Sequence, residues 1–141
     1  MASDDYRDIR SIAVHREDVV TALEANRRGD SGAVLRVTPP FSGRMRARLH
    51  IENADEYDAT PAPIHILPSQ LVADPLSYPT PDATEERLRN DADAEYTVER
   101  HHERHAAAVA DWRESVADAI ADSVALDGAF GTHRVAVAAL G

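Results

Sequence analysis

His101, His102 and His105 stand together in the run HHERH, and His101 and His105 are four residues apart. That spacing sets two imidazoles on one face of a helix, as metal ligands would be. The metalloprotease pattern H-E-x-x-H needs a histidine at position 106, which is Ala106 here. No third ligand can be named. His102 and His105 also fall on an apolar stripe with Trp112, where a histidine is commonly a hydrogen-bonded boundary residue. A metal-dependent, hydrolase-like enzyme built on these three histidines is therefore the alternative reading, and no metal or other cofactor is expected.

A sharper bias lies in AVLRVTPPFSGRMRARLHIE, Ala33–Glu52. Two alternating runs flank Pro39-Pro40-Phe41-Ser42-Gly43, so the stretch predicts a β-hairpin. Strand side chains alternate faces. Leu35, Val37, Met45, Ala47, Leu49 and Ile51 then share an apolar face. Arg36, Arg44, Arg46, Arg48 and His50 share the other, with Val34 and Thr38. From Ala33 to Ile51 the local charge is +4 in a chain of net −10, which leaves −14 for the remainder. Arginine presents a planar fork of donors suited to phosphate, and Phe41 at the loop tip adds an aromatic surface. The predicted binding residues are Arg36, Phe41, Arg44, Arg46, Arg48 and His50. Nucleic acid, an acidic protein surface or a second copy of the chain would fit such a face. The competing reading is a solvated strand face whose arginines pair with Glu52 and other acids. His50 and His65 would meet on this face if their strands pair.

Other strings carry less. Gly29-Asp30-Ser31-Gly32 matches the peptide around the nucleophile of trypsin-like proteases, whose double barrel is longer than this chain. As a nucleic-acid-gripping G-x-x-G loop it would set Asp30 against phosphate, so a polar turn is the better reading. All 15 basic residues are arginine. Without lysine there is no Walker A loop and no Schiff base, and neither G-x-G-x-x-G nor G-x-S-x-G occurs. The residues lean against an enzyme, although a fold alone excludes no chemistry.

Cysteine is absent, which removes disulfides, thiol nucleophiles and cysteine-ligated zinc. No apolar run approaches a membrane span, and MASDDYRDIRS lacks the features of a secretory signal, so a cytoplasmic location is expected. Asp outnumbers Glu, 15 to 10, beside the missing lysine. With its abundant alanine, this composition resembles that of haloarchaeal proteins, and over its whole length the chain resembles small uncharacterised proteins of those organisms. The resemblance implies no activity. It implies that the acidic surface is a solubility adaptation. A GC-rich bacterial genome suppresses lysine in the same way.

The elements that must position these residues can be read in order. Met1–Asp8 is polar and expected to be disordered. Ile9–Val14 suits a first strand. Arg16–Arg28 predicts a helix with Val19, Val20 and Leu23 inward, Glu17 and Asp18 in its first turn, Arg27 and Arg28 in its last, and Gly29 as a left-handed cap. Asn53–Pro63 reads as an acidic loop, Ile64–Leu67 as an edge strand between prolines, and Ala73–Pro81 as an extended connection. Asp82 with Glu85 resembles a capping box that opens a short helical turn through Leu88. Thr97 is the expected N-cap of a long helix to about Asp122, with Val98, His102, His105, Val109, Trp112, Val116 and Ile120 inward. Val124–Leu126 and His133–Leu140 predict a second hairpin, with Val135 and Val137 on one face. Together these imply one α+β domain over 1–141. Its expected form is a two-layer sandwich: a mainly antiparallel sheet of five or six short strands with two helices on one face and the arginine face open.

Overall fold

The computed structural model describes residues 3–52, 61–73 and 77–141. Its elements follow in the order β1 (Ser11–His15), α1 (Arg16–Gly29), β2 (Ala33–Val37), β3 (Arg44–Arg46), β4 (Arg48–Ile51) and β5 (Ile64–Ile66), then α2 (Pro81–Arg89), α3 (Val98–Asp118), β6 (Ser123–Gly128) and β7 (Gly131–Leu140). The class is α+β, as expected. The described strands form two sheets rather than one, however, and the helices number three rather than two. One sheet has the order β3-β1-β7-β6 and the other β4-β2-β5, and the two do not close into a barrel. β1 is parallel to both β3 and β7, whereas β2–β4, β2–β5 and β6–β7 are antiparallel.

The segment 33–52 folds back as an antiparallel pair, β2 with β4, but its register is two residues from the one a five-residue connection implies, with Ala33 opposite Ile51 and Arg36 opposite Arg48. Its connection is longer than five residues, because β3 leaves β2 and joins β1 instead, setting Arg44 beside Ser11 and Arg46 beside Ala13. The Ala47 amide still donates to the Ala13 carbonyl at 3.0 Å, and the next residue begins β4 in the other sheet. Two physical reasons favour this crossing. Pro39 and Pro40 have no N–H with which to extend a ladder beyond Val37. Burial of Ala47 and packing of Met45 against the core also draw this part of the strand across the larger sheet.

α1 begins and ends as its charges direct, and it buries Val19, Ala22 and Leu23. The left-handed residue that stops it is Asp30 (φ 47°), not Gly29, which remains helical. Asn26 secures the following turn: its side chain accepts from the Ala33 amide and donates to the Ala33 carbonyl, at 2.9 and 2.8 Å. The Gly29–Gly32 string is thus a turn between helix and strand. α2 is capped two residues earlier than expected, by Thr80 and not Asp82, with the Thr80 hydroxyl accepting from the Ala83 amide and Pro81 at the first helical position.

Thr97 caps α3 as expected, accepting from the Arg100 amide, but the helix ends at Asp118 rather than Asp122. Its buried stripe is Val109, Trp112 and Val116. Val98 and His102 are exposed, contrary to the expected seam. The first turns of α3 lie against α2 rather than the sheets, and contact with α2 selects His101 and His105 instead. Ile120 lies beyond the helix, bridged to Val72.

Residues 3–8 pack against the fold instead of fraying. Ser3 and Phe41 exchange backbone hydrogen bonds, and Tyr6 is buried. The Tyr6 hydroxyl donates to the Gly131 carbonyl at 2.5 Å and accepts from the Phe130 amide at 2.8 Å. Leu35, Val37, Ile12, Val14, Val124, Leu126 and Val135 from both sheets join Leu23, Trp112 and Val116 from the helices in one core. The loop expected at 53–63 lies outside the described residues through 60, as does part of the connection after Ala73.

Candidate nucleic-acid interface

In the larger sheet, Ile12, Val14, Val124, Leu126 and Val135 face the core. Alternation then sends Ser11, Ala13, Ser123, Ala125, Arg134, Ala136 and Ala138 to the opposite face, together with Arg44 and Arg46. All of these are exposed or partly exposed. The result is a face of small side chains with Arg44 and Arg46 along one edge and Arg134 and Asp127 toward the β6–β7 turn. Arg44 and Arg46 line its β3 edge, separated by about 6.6 Å along the strand. Arg134 lies on β7, two strand spacings or about 10 Å across. Arg10 and Arg134 line one hollow of about 390 Å³ at this end, with Arg7, Asp8, Ile9 and His133.

The predicted binding residues are divided between the sheets. Arg44, Arg46 and Arg48 are exposed as expected, and among the described residues none of the three has an ion-pair partner. Arg48 belongs to the smaller sheet, opposite the half-buried Arg36. There Arg36 donates to Nε2 of His50 at 3.3 Å. The rings of His50 and His65 meet, with centroids 5.7 Å apart, and Nδ1 of His65 lies 3.2 Å from the Glu52 carboxylate. Glu52 thus serves a histidine rather than the arginines. Phe41 is only 1% exposed, so its ring fills the core and offers no stacking surface; the bridge to Ser3 draws it in.

Arg10 and Arg134 were not among the expected residues. The alternation that sets Val135 and Val137 inward also points Arg134 outward, which is a signal present in the sequence. Arg10 precedes β1 and is positioned by backbone bonds, its amide donating to Gly43 and its carbonyl accepting from Ala136, so no local pattern marks it.

The histidine cluster does not converge. His101 donates through Nε2 to the Pro81 carbonyl at 2.8 Å, and His102 faces solvent. His105 meets the Thr84 hydroxyl through Nδ1 at 3.0 Å. Although the rings of His101 and His105 lie 6.3 Å apart, no group of three His, Asp or Glu side chains among the described residues could hold a metal ion. No helix among those residues is long and apolar enough to cross a membrane.

These observations define an α+β protein of two sheets with one open, arginine-bearing face. The chain matches the family model described as "Domain of unknown function (DUF8009)" over residues 1–141, and it belongs to that family. No curated protein and no solved structure matches it.

Proposed function

We propose that this protein is a small non-catalytic binding module that holds nucleic acid through the phosphate backbone on the outer face of the larger sheet. The observation that carries this reading is the grouping of exposed Arg44, Arg46 and Arg134 around a floor of Ser11, Ala13, Ala136 and Ala138. Small side chains let a backbone approach closely, and guanidinium forks suit phosphate oxygens. Among the described strand residues of this face none is Phe, Tyr or Trp, so recognition rests on phosphate and not on base stacking. An acidic protein fits less well, because a stable protein interface needs a buried apolar centre and this floor offers mainly alanine and serine.

Charge separation favours the same reading. Exposed Glu99, Glu103, Asp111, Glu114 and Asp118 lie on α3, which buries its stripe in the core, whereas the outer face of the larger sheet carries, among its described strand residues, Arg44, Arg46 and Arg134 against one acid, Asp127, which accepts from the Thr132 hydroxyl. We also read the lysine-free, acidic composition as adaptation to a salt-rich haloarchaeal cytoplasm. At 1 M salt, attraction is screened within about 3 Å, so the arginines must touch phosphate directly.

The test is fluorescence anisotropy with a labelled single-stranded RNA of mixed sequence and with polyglutamate, for the natural chain and for Arg44→Gln/Arg46→Gln/Arg134→Gln. RNA affinity is expected to fall at least tenfold in the triple variant, with an unchanged melt. The slope of log affinity against log salt should flatten by about 0.7 for each phosphate the variant no longer neutralises. No RNA binding, equal RNA binding by the variant, or binding to polyglutamate alone would overturn the proposal.

A further inference from the structure

A cleft of about 540 Å³ opens between the end of α1, the segment Tyr78–Pro81 and the middle of α3, away from the arginine-bearing sheet face. That volume lies within the range of small-molecule sites. Tyr78, Pro79, Pro81, Ala106 and Val109 give it apolar walls, and Arg28, Thr80, His105 and Arg113 supply its polar groups.

The hydrogen bonds around the cleft determine which of these groups remain available. Glu24 holds Arg113 through both carboxylate oxygens, with Nε 3.0 Å from Oε1 and Nη2 3.0 Å from Oε2, and it accepts from the Tyr78 hydroxyl at 2.7 Å. The negative charge nearest the cleft is therefore neutralised, and Tyr78 and Arg113 are already engaged. Arg28 has no carboxylate partner among the described residues, so it carries the net charge of the cleft. The Thr84 hydroxyl has one proton. Donated to the Thr80 carbonyl at 3.2 Å, it leaves Thr84 to accept from Nδ1–H of His105, and Nε2 of His105 has no partner among the described residues.

We infer that this cleft binds a small molecule carrying a carboxylate or phosphate monoester on an apolar body. The oxyanion would pair with the fork of Arg28, and the body would lie against Pro79, Pro81 and Val109. Nε2 of His105 adds a polar contact for a hydroxyl or amide on the same ligand. This site is independent of the sheet face and needs no nucleic acid.

The test is isothermal titration of the purified full chain with phenyl phosphate, benzoate, inorganic phosphate and benzyl alcohol. Saturable binding is expected for phenyl phosphate or benzoate, and whichever binds more tightly names the source of the oxyanion. Inorganic phosphate lacks the apolar body and benzyl alcohol lacks the charge, so both should bind at least tenfold more weakly. Arg28→Gln, an exposed change, should weaken the better probe at least tenfold with an unchanged melt. Ala106→Trp, at an exposed helix position, should block the cleft. Absence of binding by both charged probes, equal binding by benzyl alcohol, or undiminished binding in both variants would overturn the inference.

Discussion

Arg46 and Arg48 are separated by one residue and belong to different sheets: Arg46 lies beside Ala13 in the larger sheet, and Arg48 lies opposite Arg36 in the smaller. Between them Ala47, 1% exposed, donates its amide to the Ala13 carbonyl and turns its methyl group into the core. One extended run of chain thereby ties the two sheets together. A larger side chain at 47 must displace core atoms, so Ala47→Leu should destabilise the fold by about 1–3 kcal/mol, measured by urea denaturation. A loss within about 0.5 kcal/mol would mean that the crossing has room to spare.

Trp112 is 4% exposed and meets Tyr78 edge-on, with ring centroids 4.9 Å apart. Trp112→Ala should cost about 3–5 kcal/mol, the range for removing a buried large aromatic. A cost below about 1 kcal/mol would contradict the assignment of this face of α3 to the core.

Some of the architecture was legible because it is decided locally. The ends of α1, the cap at Thr97 and the inward Val135 follow from charge, capping chemistry and alternation within a few residues. What could not be read is decided by partners distant in sequence. The Ala13 carbonyl separates Arg46 from Arg48, Ser3 draws Phe41 inward, and Arg10 is positioned by Gly43 and Ala136. In α3, spacings of three and four allow either His101 or His102 to join His105 on the inward side. Contact with α2, through the Pro81 carbonyl and Thr84, selects His101. The basic character of the candidate site was thus readable in β3, whereas its extension to Arg134 and Arg10 required the sheet order.

The same selection makes the histidines separable by mutation. His102→Ala should leave the melt unchanged. His105→Ala strands the buried Thr84 hydroxyl from one partner and should cost about 1 kcal/mol. Equal effects in thermal denaturation would return His102 to the inward face.

Glu24 links α1 to α3 and to Tyr78. Burial pushes its carboxyl pKa up, but hydrogen bonds from Arg113 and Tyr78, with the nearby arginine charges, more than offset this and hold it below the ordinary value. A carboxylate lowered on folding contributes stability above its unfolded pKa, and that contribution is lost as pH falls through the folded value. Glu24→Gln should therefore lower the melting temperature at pH 7 and narrow the drop between pH 7 and pH 3. Arg113 is half exposed, so the effect should be modest. Parallel melting curves across that range would refute a contribution from this pair.

Gly128 lies against the ring that docks the first residues. A Cβ there would fall 2.7 Å from Cζ of Tyr6, whose hydroxyl is fixed by Phe130 and Gly131. Gly128→Ala should cost about 1–3 kcal/mol by crowding, visible as a lower urea midpoint. An unchanged midpoint would show that Tyr6 can move away at little cost.

The place of β1 in its sheet has a consequence for how the protein is made. Of the described strands β1 leaves the ribosome first, yet it sits between β3 and β7, and its neighbour β7 is the last of them to be made. α1, β2, β4 and β5 can assemble early, since their pairings span short stretches of sequence. The larger sheet must wait for β7, and until then Ile12 and Val14 lack their β7 neighbours Val137 and Ala139. Closing so long a loop is slow, and the waiting edge of β1 is a surface on which nascent chains can pair with one another.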